Sequence, residues 1–355
     1  MKKFLKVLWI TAACMAGLGI LITAWGVTWT MRVADRLTPE KSVPMSLPLD
    51  MLTVEEIKID LGVGDVQFKV DDEARVEATG FTQEDLVLKQ EGNAVTVEGR
   101  DTLGGSHIIN LGIFRVDWLG RLHVGTLEKR VVTVYLPKRT ELDVLDVDIG
   151  VGDVTGKLIG YVEDAHFACG TDDIEIEDVI FTNLVMDYGT GDVTMTNVNV
   201  LEKAEISCGT GDMNFTDCEW KDLLLDCGTG EAVFRDCRAT GSAAIEHNTD
   251  DLTFIGGSWK DLEVNAGTCD VEFDGHLSGK CSFVTSTGDV KLKLNEDAGM
   301  YTAEIHVSTG DCDVENAPVT TMGKKEYAVN PGNGAENALV IDVGTGNAEI
   351  VFAEE

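Results

Sequence analysis

Apolar and polar residues alternate through most of this chain, and the alternation is broken at regular intervals by Gly-Thr-Gly-Asp or a close variant. Before Asp192 the apolar positions are Leu184, Met186 and Tyr188, and after it Val193 and Met195. The same offsets give Ala204, Ile206, Cys208, Met213 and Phe215 around Asp212, and Leu262, Val264, Ala266, Val271 and Phe273 around Asp270. A period of two on both sides of a turn predicts short strands with one buried face. Helical spacing is excluded, because it would scatter these residues around the circumference.

The tetrads end at Asp65, Asp153, Asp173, Asp192, Asp212, Glu231, Asp251, Asp270, Asp289, Asp311 and Asn347, and from Asp153 to Asp289 every step is nineteen or twenty residues. A fixed period of that size signals a repeat architecture. A hairpin is the local alternative. Identical offsets from repeat to repeat favour equivalent strands stacked in parallel, with like side chains in inward ladders. The expected fold class is therefore all-β, a parallel β-helix-like solenoid over residues 51–355 with one coil per repeat. Two segments break the period, at about 71–140 and 317–338, the second reading as a hairpin before the last coil. Both are candidates for capping the ends of the stack.

Within the tetrad, both glycines are expected to supply positive φ for a tight corner, with the acid bonding the turn's own amides. Thr171, Thr190, Thr210, Thr229, Thr249, Thr268, Thr287, Thr309 and Thr345 would then form a ladder. The competing reading is calcium. One carboxylate per rung brings like charges within about 5 Å, and a divalent cation would relieve the repulsion at Asp173, Asp192, Asp212, Asp251, Asp270 and Asp289. Against it, calcium takes six to eight oxygens, and Glu231 and Asn347 occupy the same position. The corner reading is adopted.

Cys169, Cys208 and Cys227 sit four residues before the acid, and Cys218 and Cys237 six after it, at inward positions. They read as small core side chains in the reduced state, although adjacent coils bring Cys208 near Cys227 and Cys218 near Cys237, within disulfide reach. No C-x-x-C pair suggests zinc, and the G-x-G of the tetrad lacks the βαβ setting of a nucleotide fingerprint. No cofactor is expected. Catalysis on polysaccharides would need convergent carboxylates, whereas these acids recur at turns. His107 and His123 are polar residues the repeat leaves unexplained.

Composition sharpens the partner classes. With 62 acidic against 28 basic residues and a net charge of −34, the chain repels nucleic acid. Its opening residues differ. Lys2, Lys3 and Lys6 precede an uncharged run from Val7 to Thr30, with Trp9, Trp25 and Trp29 toward its ends. Such a run is long enough to cross a bilayer, with the lysines holding the amino terminus inside and the rest exported. Residues 1–31 are thus expected to be a transmembrane helix that anchors the chain in the cell membrane, and residues 32–50, with Pro39, Pro44 and Pro48, an extended stalk.

Three stretches carry a resemblance: "VTVYLPKRTELDVLDVDIGVGDV", the recurring "GTGD" turns, and the terminal "ALVIDVGTGNAEIVF". They resemble the bacterial β-strand-repeat family of putative adhesins, similar to toastrack-type extracytoplasmic domains of Lia-like cell-envelope stress systems. The resemblance covers roughly residues 50–355 and implies a non-enzymatic interaction module whose partner is an envelope protein or a surface glycan. It brings no catalytic residues. A calcium-binding β-roll-like surface protein and a polysaccharide-active β-helix enzyme are the alternatives.

Overall fold

A computed structural model describes residues 42–99, 128–332 and 335–354, together with the backbone of 109–111, 114–116 and 122–124. The chain is all-β, with a single short 3-10 turn at Ala298–Met300 among the described residues. Strands Ile109–Leu111, Phe114–Val116 and Leu122–Val124 form a small antiparallel sheet of their own. The expected membrane helix over 1–31 lies outside the described residues, and among those described no helix is long and apolar enough to cross a membrane.

Each coil of the main body has three sides, seen most plainly in the rung that follows Glu231. Ala232–Arg235, Arg238–Ala239 and Ala243–Thr249 are its strands, separated by corners. Each pairs in parallel with the equivalent strand one repeat away on both faces: Ala243–Thr249 lies between Leu223–Thr229 and Leu262–Thr268. The threonine column is formed as the repeat predicts, Thr171 beside Thr190, then Thr210, Thr229, Thr249, Thr268 and Thr287. The result is a β-solenoid-like stack.

The interior follows from the alternation. Around Asp212 the buried residues are Ala204, Ile206 and Cys208 on the long side, Met213 and Phe215 on the short side, and Cys218 and Trp220 on the third. Repetition turns each into a column. Phe215, Phe234 and Phe254 stack at centroid spacings of 4.9 and 5.0 Å, and Phe273 continues the series at 5.5 Å. In the third-side column, Ala239 lies between Trp220 and Trp259, and its small side chain lets the two indoles approach to 6.1 Å. Trp259 packs edge-on to Phe234 and Phe254 at 5.2 and 4.9 Å. Such offset and edge contacts add to the area each ring removes from water.

Both ends depart from the simple repeat. At the amino-terminal end Glu56–Val63 is a true rung, parallel to Thr140–Val151 on one face and to Ala94–Gly99 on the other. The pairing then turns antiparallel, through Leu86–Glu91 on the long side and through Arg75–Thr79 and Met45–Pro48 on the short side. The segment expected as an excursion at 71–140 therefore contributes strands to the end of the stack. Met45–Pro48, expected within the stalk, is one of the strands that covers it. Arg75 fastens this cap, bonding Asp71 and Glu77 at 2.9 and 2.7 Å with its guanidinium 3.7 Å over the Tyr135 ring.

At the other end the spatial order differs from the chain order. Asn337–Thr345 inserts between Lys280–Thr287 and Tyr301–Thr309, parallel to both. Ala348–Ala353 likewise lies between Val290–Asp297 and Cys312–Glu315. The last coil in sequence is the penultimate rung in space. The hairpin expected at 317–338 is present as Val319–Gly323 with Glu326–Val329, and its second strand pairs antiparallel with Tyr301–Thr309. It covers the long side of the outermost rung.

Candidate functional site

The tetrad corners form one continuous column of acids, and the two glycines have different roles in it. The third-position glycine takes positive φ, +138° at Gly191, +145° at Gly211 and +131° at Gly230. Where the chain has Asp172 or Asp250 instead, those residues accept positive φ themselves, +94° and +79°. The first glycine has another cause, and the expectation of positive φ there is corrected. A Cβ on Gly209 would lie 2.5 Å from the Gly189 carbonyl oxygen, and one on Gly189 2.6 Å from that of Gly170. Rungs touch backbone to backbone at these glycines, where an added side chain would require a shift, whereas other rungs carry Asn248, Ser286 and Ser308 at the same offset.

At most rungs the acid binds the next rung instead of its own turn, Glu231 and Asp251 being exceptions. Asp173 Oδ1 accepts from the Asp192 amide at 2.9 Å, Asp192 from Asp212 at 2.8 Å, and Asp212 from Glu231 at 2.9 Å. Asp270 accepts from Asp289 at 2.7 Å, Asp289 from Asn347 at 2.7 Å, and Asn347 Oδ1 from Asp311 at 3.0 Å. An amide oxygen serves at Asn347 as well as a carboxylate does elsewhere, because the requirement is a short acceptor. A lysine stands at each end of the column. Lys129 Nζ is 2.5 Å from Asp65 and 4.0 Å from Asp153, and its pKa is raised chiefly by its hydrogen bond to Asp65. Lys325 reaches Asp311 at 3.4 Å and also donates to the Gly310 carbonyl.

The calcium candidates Asp173, Asp192, Asp212, Asp251, Asp270 and Asp289 thus stand one per rung in this single column. Among the described residues no group of three or more His, Cys, Asp or Glu side chains is gathered so as to hold a metal ion.

A second corner, five residues past the acid, was not singled out in the sequence, and in one rung Gly256 fills it with φ +72°. Asp178, Asn197, Asp217 and Asp236 occupy it with φ from +51° to +55°. Asn197 donates to Asp178 Oδ1 at 2.6 Å, which, with Lys157 beside it, lowers the Asp178 pKa. The signal for it was Asp or Asn recurring at one offset, residues whose short side chains tolerate the left-handed region.

The column four residues before the acid carries buried thiols and polar groups. Cys169, Tyr188, Cys208, Cys227 and His247 are consecutive register partners along it. Cys169, Cys208, Cys218, Cys227 and Cys237 are free thiols. Burial pushes the Cys169 thiol up to about 12, while hydrogen bonding from Cys227 lowers the Cys208 pKa. His247, 1% exposed, bonds the Asp250 carbonyl through Nε2 at 3.1 Å, and its pKa is lowered by desolvation. Its Nδ1 has no partner. His107 lies outside the described residues, and His123 falls on Leu122–Val124, of which only the backbone is described.

These features meet in one comparison. The family described as Toastrack DUF4097 matches residues 54–350. The chain belongs to this Toastrack family. The match spans the body built by the coils and their caps, as the resemblance carried by the tetrads implied. No match is found among curated proteins. Among solved structures, a putative adhesin of Parabacteroides distasonis is similar at 14% identity, covering 88% of this chain and 97% of that one with a TM-score of 0.39. A putative adhesin of Bacteroides fragilis is similar at 13%, covering 88% and 97% with a TM-score of 0.33. A putative lipid binding protein of Parabacteroides distasonis is similar at 11% over the same shares, with a TM-score of 0.27. At such scores these likenesses carry no argument about what this Toastrack chain binds.

Proposed function

We propose that this Toastrack chain is a non-enzymatic, adhesin-like interaction module of the cell envelope. It is held by its first thirty-one residues as a single-pass membrane anchor, with the β-solenoid outside the cytoplasm. The observation that carries the reading is the use made of the repeated acids: most are tied to a neighbouring rung's amide or to an end lysine, in a column whose spacing the repeat sets. Motifs that elsewhere signal chemistry here hold coils together. What remains for function is the outer surface, acidic and repetitive, suited to a protein or glycan partner and unsuited to nucleic acid.

The anchor rests on the uncharged run from Val7 to Thr30 behind Lys2, Lys3 and Lys6. Cross-linking on intact cells, with attached molecules identified, tests the reading. Recovery of an envelope protein or glycan supports it. A chain that is protected from added protease in intact cells, or that turns over a polysaccharide through a single essential Asp, overturns it.

A further inference from the structure

The two ends of the stack are covered unequally. At the amino-terminal end both the long and the short sides meet antiparallel strands. At the other end the long side is covered by Glu326–Val329 and the corner by Lys325. The short side ends at Cys312–Glu315, which among the described residues pairs with Ala348–Ala353 alone. The Ala348 amide donates to the Asp311 carbonyl at 3.0 Å. In a parallel pair each residue turns its N–H and C=O to the same neighbour, so those of Cys312 and Val314 face away from the stack. Their side chains continue the columns of Ala348 and Ile350, which are buried, yet are themselves only half-buried against the core. Asp313 and Glu315 point outward and are exposed.

The stack itself displays what fits such an edge. On the same short side, Glu272 and Asp274 are met on the next rung by Lys291 and Lys293 at 3.0 and 2.7 Å, within the sequence Val290-Lys291-Leu292-Lys293-Leu294. We propose that Cys312–Glu315 is a docking edge for an extended segment of a partner protein that alternates apolar and basic residues. Its apolar side chains cover Cys312 and Val314, its main chain takes the free amides and carbonyls, and its cations meet Asp313 and Glu315. A second copy of this chain is disfavoured there, since it would bring its own Asp313 and Glu315 against these.

The inference rests on the interaction-module reading and names where that module binds. The probe is a labelled peptide of sequence VKLKL, titrated by fluorescence anisotropy against the full chain in mild detergent, with VELEL as control. VKLKL is expected to bind about tenfold or more tighter than VELEL at low salt, with the preference falling as salt rises. In the variant carrying Asp313→Lys and Glu315→Lys the preference reverses. Equal binding of the two peptides by the wild-type chain overturns the proposal without needing any variant, as does a preference unchanged in the double variant. Self-association of the chain abolished by the double variant also overturns it, by assigning the edge to a second copy. Cross-linking on cells with the double variant separates the two readings: partners still captured leave the module reading intact and remove the edge.

Discussion

Replacing Asp212 separates the two roles open to the acid column. Its Oδ1 accepts the Glu231 amide at 2.9 Å, and its own amide donates to Asp192 Oδ1 at 2.8 Å. Asp212→Ala removes the first bond and leaves the second. A hydrogen bond of this kind is worth about 0.5–1.5 kcal/mol net, more when the acceptor is charged, and solvent exposure at the corner holds it near 1 kcal/mol. Asp212→Asn keeps a short acceptor in place, as Asn347 does when it accepts the Asp311 amide at 3.0 Å. It also removes one charge from a column of carboxylates about 5 Å apart, where each like-charge neighbour costs a few tenths of a kcal/mol in salt. Asp212→Asn should therefore fall within about 0.5 kcal/mol of wild type, and Asp212→Ala about 1 kcal/mol below it. Equilibrium urea denaturation, run with and without calcium, reads both differences. If Asn proves as damaging as Ala, or if calcium raises wild-type stability and the Asn variant loses that gain, the carboxylate charge is what matters and the inter-rung reasoning fails.

Further outcomes follow from other residues. Gly209→Ala should destabilise by about 1–3 kcal/mol, because its Cβ meets the Gly189 carbonyl oxygen at 2.5 Å; a urea midpoint equal to wild type would refute the backbone contact. His247 has a folded pKa below its ordinary 6.5, so the unfolded chain takes up a proton first as pH falls. Stability should hold above about pH 6.5 and drop below it, and His247→Phe should flatten that acid limb; an unchanged limb would place the loss elsewhere. Phe234→Ala opens a hole between rings stacked at 4.9 and 5.0 Å and should cost about 3–5 kcal/mol, read by the same denaturation. Removing residues 336–355 should leave Cys312–Glu315 without the strand it pairs with and Tyr301–Thr309 with Glu326–Val329 alone, visible as lost hydrogen-exchange protection across 312–315; retained protection there would contradict the inserted coil.

Much of this architecture is legible in the alternation alone. Apolar offsets around Asp192, Asp212 and Asp270 name the long-side and short-side columns, and the threonines name their own ladder. The third side was missed because its strands are as short as Arg238–Ala239, too brief for periodicity to register, although Phe181, Val200, Trp220 and Trp259 recur at one offset. The reason for the first glycine was hidden because steric contact lies between rungs, and a sequence read along one rung does not contain it. The order of the last coils was hidden for a related reason. Successive rungs present nearly identical edges, so once the period breaks after Asp289 nothing in the residues says which rung a strand will join. For the candidate site, the column of acids was legible, and its partners were not: Asp173, Asp192, Asp212 and Asp270 bond amides nineteen or twenty residues away, but Asp289 accepts the Asn347 amide across fifty-eight.

The central claim is that rungs stack in parallel in the spatial order Asp289, Asn347, Asp311. Spin labels on the exposed threonine column test it, because each rung adds about 4.8 Å. From a label at Thr229, one at Thr345 should lie four rungs away, about 19 Å, and one at Thr309 five rungs away, about 24 Å. Distances that rise with rung number and put Thr345 nearer than Thr309 are what the account predicts. The reverse order, or distances unrelated to rung number, would contradict it.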